Sequence, residues 1–358
     1  MVPAAKPIIG RSERRAVQRV MKSGMLAQGP EVASFENEFS KTIGSRHCIA
    51  VNSGTSALHL SFLAAGVGPG DEIIVPSFSF AATANAVALT GATPVFADVE
   101  ENYFNLDPQA AESLITPKTK GIMPVHLYGH PANMAAFQEL CQKHNLLLFE
   151  DAAQSVGAIY RNKPVGTFGI TASFSFYPTK NMTSGEGGMV ATDSDEIARR
   201  VKLLRNQGME KRYANEIIGF NNRMTDLHAA IGRVQLKRVQ AWTATRQRNA
   251  TFLSENIKGV VTPPVSPDSV HVFHQYTIRI VGLDRDKFSE ELSKRGIGNG
   301  VYYPTPIHRL PSFSSKVELP TTEKVAAECL SLPVHPSLSK RDLHSIVESV
   351  NAIASGGA

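Results

Sequence analysis

Ala172-Ser173-Phe174-Ser175-Phe176-Tyr177-Pro178-Thr179-Lys180-Asn181 ends an apolar and aromatic run on a lysine, and Gly185-Glu186-Gly187-Gly188 follows. Most lysines are solvated surface charges. One placed directly behind a buried strand sits in apolar surroundings, where an ammonium loses its proton readily. The segment therefore reads as a strand over 172–176, a lysine beyond its carboxyl end, a reversal and a second strand over 188–192. The glycines permit that reversal and a close backbone approach to a ligand; taken alone they fit a plain hairpin turn equally well.

Working outward, similar apolar runs occur at 48–52, 72–76, 94–99, 121–126 and 146–150. Bare runs of this kind mark strands covered on both faces. Helical patterns lie between many of them, at 55–65, 81–89, 134–144 and 196–206. The alternation predicts an α/β domain with a mostly parallel seven-stranded sheet sandwiched by helices. After Thr225 the pattern changes to one long helix over 226–257, with Ala229, Ala230, Ile231, Val234 and Leu236 on its apolar side. A strand over 272–281 and helices over 286–295 and 340–353 complete a smaller α+β domain. The expected division is 1–245 and 246–358, with residues 1–25 packing on the smaller domain, and the proline-rich stretch 304–311 is expected to be a surface loop.

Composition narrows the class. Among 358 residues, 42% are hydrophobic and 19% charged, the balance of a soluble globular chain. No run of about 18 apolar residues is present to span a bilayer, and residues 1–7 contain no apolar signal core, so a cytoplasmic location is expected. Cys48, Cys141 and Cys329 are odd in number and widely spaced, which fits buried thiols better than a disulfide framework or a zinc site. The net charge of +5 suits a polyanion, yet no basic run is interleaved with aromatics. The densest basic stretch, 199–212, is broken by Leu203, Leu204 and Met209 and reads mainly as the solvated face of a helix.

Two further features fall just beyond predicted strands, where ligands bind in open α/β sheets. Ser53-Gly54-Thr55-Ser56 turns from a strand into a helix whose free amides and dipole favour a phosphate; an ordinary helix cap uses the same residue types. Phe149-Glu150-Asp151-Ala152-Ala153-Gln154 places Asp151 at the carboxyl end of the Leu146-Leu147-Leu148 strand. An aspartate there caps a turn or, equally, pairs with a buried cation. A phosphate site, a carboxylate and a lysine that gives up its proton together suit pyridoxal 5′-phosphate (PLP), whose ring nitrogen needs an anionic partner to act as an electron sink.

Thr55, Asp151, Gln154, Ser175 and Lys180 occur in the order and contexts of the DegT/DnrJ/EryC1/StrS sugar aminotransferases, which the chain resembles. The resemblance runs from Gly29-Pro30 through Gly68-Pro69-Gly70-Asp71-Glu72, His126-Leu127-Tyr128-Gly129 and Asn222-Arg223-Met224 to Tyr303-Pro304 and Leu332-Pro333. It implies PLP fold type I. It implies that Lys180 carries the cofactor as a Schiff base, Asp151 partners the ring nitrogen and Gln154 lies near the 3-hydroxyl. Thr55, Ser56 and Ser175 match phosphate contacts, Phe80 the aromatic that stacks on the ring, and Asn221, with Arg223 close by, a phosphate contact given by the partner in a homodimer. Relatives that dehydrate sugars carry histidine in place of this lysine. Glu186 and His308 are the expected contacts to substrate.

The implied reaction moves an amino group, usually from L-glutamate, to a nucleotide-linked keto-sugar. Thr179 before Lys180 and the following glycines resemble the subgroup that aminates C4 of 4-keto-6-deoxy sugars; the C3 group tends to have glycine or serine there. Amination of a keto-cyclitol such as scyllo-inosose, and PLP binding by a regulatory protein without turnover, remain open alternatives. A nicotinamide dehydrogenase does not, because its glycine fingerprint is missing after the first strand.

Overall fold

The computed structural model describes residues 1–356. Its main sheet has seven strands: β1 (His47–Val51), β2 (Glu72–Pro76), β3 (Thr93–Ala97), β4 (Thr119–Ile122), β5 (Leu147–Asp151), β6 (Thr171–Ser175) and β7 (Gly188–Thr192). They lie in the order β1-β7-β6-β5-β4-β2-β3. From β6 to β3 every neighbour is parallel, while β7 runs antiparallel to both β1 and β6. The carboxyl ends of the parallel strands thus share one edge, and because β7 is reversed, its first residue lies there too. Gly188 sits between Val51 on one side and Ser175 on the other.

The helices are α1 (Arg11–Ser23), α2 (Pro30–Ile43), α3 (Gly54–Ala64), α4 (Ala82–Ala88), α5 (Pro108–Ser113), α6 (Met134–His144), α7 (Asp195–Arg205), α8 (Asp226–Asn256), α9 (Arg285–Lys294), α10 (Pro320–Glu328) and α11 (Lys340–Ala354). The alternation of small and large residues along β6 decides how two of them pack. Successive side chains on a strand point to opposite faces. Phe174 and Phe176 meet Phe35 and Phe39 of α2, with ring centroids 5.1–5.4 Å apart. Ser173 and Ser175 face the other way, where α3 packs on β6 and Ser61 bonds Ser173 at 3.1 Å. The serines let α3 approach closely, and the phenylalanines anchor the strand that leads to Lys180.

The long helix α8 packs on α1 and α2 and, towards its end, on α11. Beyond it, β8 (Tyr276–Arg279) pairs antiparallel with β9 (Cys329–Leu332). Tyr276, Ile278, Leu330, Ile346 and Val350 form a separate core, which Val2 joins while bridging Ile297. Two expectations are corrected here. The strand expected over 272–281 shortens to β8, because Phe273 takes a positive φ of 45° and breaks the extended run. The stretch 304–311 is a surface loop only in part: Pro304, Thr305, Arg309 and Pro311 are exposed, but Ile307 and His308 are fully buried. Among the described residues, the three cysteines are free and buried, and no helix is long and apolar enough to cross a membrane.

Candidate active site

A cavity of about 550 Å³ opens at the carboxyl edge of the sheet. Its first wall is the head of α3. Ser53 caps that helix, its Oγ accepting the Ser56 amide at 3.1 Å, and the first backbone bond of the helix runs from the Ala57 amide to the Ser53 carbonyl. Among the described residues nothing accepts from the amides of Gly54 and Thr55, both of which line the cavity. Two unpaired helix N-terminal amides attract an anion. The arrangement depends on glycine at Gly188, where a Cβ would stand 2.3 Å from the Ser53 carbonyl oxygen. With no side chain on β7 at this rung, the Ser53–Gly54 turn crosses it and brings α3 down onto Ser175.

Asp151 ends β5 on the cavity floor and is 4% exposed. Its Oδ2 accepts from the Thr83 hydroxyl at 2.8 Å and its Oδ1 from the Ala153 amide at 3.1 Å. Burial pushes its pKa up, opposed by these two hydrogen bonds and by the charge of Lys180. Lys180 is half-buried in the same cavity, in the connection between β6 and β7. Its backbone amide closes a turn on the Tyr177 carbonyl, and Asn181 beside it donates to the Val272 carbonyl at 3.0 Å. Burial lowers the Lys180 pKa to about 8, against the pull of Asp151.

Gln154 is held at both ends of its amide: its Oε1 accepts the Tyr128 amide at 2.8 Å and its Nε2 donates to the Tyr303 hydroxyl at 3.2 Å. Phe80 stands at the mouth, 58% exposed, with its ring 5.9 Å from that of Tyr303. Ser175 and Glu186 also line the cavity. Thr55, Phe80, Asp151, Gln154, Ser175, Lys180 and Glu186 are thus brought together.

Three expected residues are not. Ser56 is not among the cavity-lining residues; its amide and hydroxyl both bond Ser53. Asn221 is exposed and bridges Asn206, away from the cavity of its own chain. His308, expected to touch substrate, is fully buried: Nδ1 bonds Ser77 Oγ at 2.6 Å and Nε2 bonds Glu323 at 3.2 Å. It fastens the 304–311 stretch to the end of β2 instead of facing the cavity. Conversely, Ser79, Thr83, Tyr128 and His274 line the cavity although the sequence reading passed them over. The one local signal for the first two was a pair of hydroxyls four residues apart, one helical turn.

The set fits PLP: an amine of lowered basicity, a buried carboxylate and a helix head with free amides answer an aldehyde, a ring nitrogen and a phosphate. The model of the DegT/DnrJ/EryC1/StrS aminotransferase family matches residues 7–351. A pleiotropic regulatory protein of Geobacillus stearothermophilus is 41% identical over 346 residues, 94% of this chain and 92% of that one. A GDP-perosamine synthase of Caulobacter vibrioides is 40% identical, covering 98% of each chain. A dTDP-3-amino-3,4,6-trideoxy-alpha-D-glucose transaminase of Streptomyces venezuelae is also 40% identical, covering 94% and 90%. The solved structure of S. venezuelae DesV in complex with a ketimine intermediate superposes with a TM-score of 0.92 at 39% identity, over 96% of this chain and 94% of that one.

Proposed function

We propose that this chain, which belongs to the DegT/DnrJ/EryC1/StrS aminotransferase family and is a PLP-dependent aminotransferase, moves an amino group from L-glutamate to C4 of a nucleotide-linked 4-keto-6-deoxy sugar. The observation that carries the reading is the meeting of Lys180, Asp151 and the head of α3 in one cavity. When bound, PLP supplies a carbonyl that takes up the amino group and a ring that accepts the electron pair of a broken C–H bond. The chain's own residues do the rest. Gly54, Thr55 and Ser175 hold the phosphate. Asp151 would keep the ring nitrogen protonated, and Phe80 at the mouth would cover the ring. Lys180 Nζ would hold the cofactor and, as a free amine of lowered basicity, would take the proton from the donor Cα. Having passed that proton on, the same amine would be free to act as the acid that protonates the former keto carbon of the sugar.

The choice of C4 rests on Thr179 before Lys180. The names of the relatives divide between a GDP-perosamine synthase and a transaminase of a dTDP-linked 3-amino sugar, so C3 is the first rival. The experiment is incubation of the pure enzyme with glutamate and a panel of nucleotide-linked keto-sugars, with the aminated carbon located by NMR. Amination at C4 is expected. Amination at C3, or turnover of scyllo-inosose alone, would replace the reading. A second reading, a PLP-binding regulator, draws on the name of the Geobacillus relative. Conversion of the bound cofactor by glutamate, followed by absorbance, excludes it.

The active unit in this proposal is a cytoplasmic homodimer in which Asn221 of one subunit completes the phosphate site of the other. Its support is the character of the loop before Asn221, where Tyr213 is 80% and Ile218 92% exposed. Large apolar groups displayed in this way suit a surface that another subunit covers.

A further inference from the structure

Ser79 and Thr83 are buried hydroxyls, 3% and 0% exposed, that the proposed reaction does not use. They lie on one turn: the Thr83 amide bonds the Phe80 carbonyl at 3.1 Å, and Ser79 Oγ is 2.9 Å from Thr83 Oγ1. Thr83 Oγ1 is in turn 2.8 Å from Asp151 Oδ2.

The direction of these two bonds follows from the proton count. An ionised carboxylate only accepts, and a threonine hydroxyl has one proton. Thr83 therefore spends its proton on Asp151, and Ser79 must donate to Thr83. The chain Ser79→Thr83→Asp151 is polarised towards the carboxylate. With the Ala153 amide on Oδ1, each carboxylate oxygen has one fixed donor, which sets the plane of the group. A hydrogen bond made to the charged form favours that form. The other titratable groups facing Asp151 are Lys180, His126 and the Tyr303 phenol.

We propose that Thr83, backed by Ser79, is a positioning residue of the reaction: it fixes the plane of Asp151 and holds its charge against the ring nitrogen of the cofactor. The same turn carries Phe80, so one short segment sets both the carboxylate on the floor and the aromatic at the mouth. The inference rests on the role given to Asp151 above.

The test uses the holoenzyme of Thr83→Val, Thr83→Ser, Ser79→Ala and Asp151→Asn, comparing kcat and KM for glutamate and the pH titration of the bound cofactor's visible absorption. Thr83→Val keeps the side-chain shape and removes one bond to a charged group, so kcat should fall about ten- to a hundredfold with KM little changed. The absorption titration should move with it, Thr83→Ser should recover most of the loss, and Ser79→Ala should show a smaller loss of the same kind. A purely structural Thr83 would change thermal stability and leave the absorption titration where it was. If the valine protein does not fold, Ser79→Ala carries the test, and an unchanged kcat and titration there overturn the relay. Wild-type behaviour of Thr83→Val beside an impaired Asp151→Asn also overturns it. Full activity in Asp151→Asn would instead sink the role of Asp151 itself.

Discussion

Gly54 lies so close to Ser175 that a Cβ on it would stand 2.8 Å from the Ser175 Cβ. The obstacle is near the backbone of β6, so it does not swing aside. In Gly54→Ala the head of α3 should move off the strand and take its free amides out of line. Overpacking of this kind costs about 1–3 kcal/mol, which predicts PLP binding weaker by about tenfold or more in a folded protein. Equilibrium dialysis of PLP against the apoprotein measures it, and wild-type affinity would separate the helix head from phosphate binding.

Lys180 should be the lysine that borohydride fixes to the cofactor, and Lys180→Ala should retain some PLP without turnover. Its pKa of about 8 means that it is charged below that pH and a free amine above it. In the apoprotein, acylation at Lys180 should therefore rise through about pH 8, ahead of exposed lysines, which titrate near 10.4. Peptide mapping after reaction at a series of pH values decides this; a rise only near pH 10 contradicts the desolvated setting.

His308→Leu should cost stability, not substrate affinity. The change removes the ring's bonds to Ser77 Oγ and Glu323, while Ser77 Oγ keeps the backbone amide of residue 308. Losing a hydrogen bond of this kind costs about 0.5–1.5 kcal/mol. A lower thermal midpoint with an unchanged KM for the sugar is expected, and a raised KM alone would restore His308 to the substrate side.

The dimer proposal predicts complementation between Lys180→Ala and Asn221→Ala chains. In a mixed dimer, one composite site carries both defects and the other carries neither, so full statistical exchange should restore about a quarter of wild-type activity. If exchange is seen by mass without recovery, Asn221 does not act across the interface, and Arg223 is the next residue to test.

The sheet was legible because its strands are covered on both faces. The segments 72–76 and 188–192 match β2 and β7 to the residue, and the other five strands lie within four residues of expectation. The residues gathered in the cavity were legible for a related reason: each lies at or near a strand end, and those ends share an edge. What stayed hidden depends on distant partners. Thr83 gains meaning only from Asp151, and His308 only from Ser77 on another strand's end. Prolines around His308 signalled irregular backbone, which is not the same as exposure. Helix α1 escaped notice because its buried side rests on Ala16, Val20 and the paired carboxylate of Glu13, too thin a stripe to stand out.

Ser175 and Gly188 are partners on a single rung of the sheet, and residues 176–187 leave from one and return to the other. Lys180 is therefore carried on a closed ring whose clasp is that rung, and its place depends on the circumference of the ring. The crossovers between the parallel strands can take up added length at the far edge of the sheet, remote from the cavity. This ring has no far edge: one residue more or fewer changes its circumference and shifts the amine it carries.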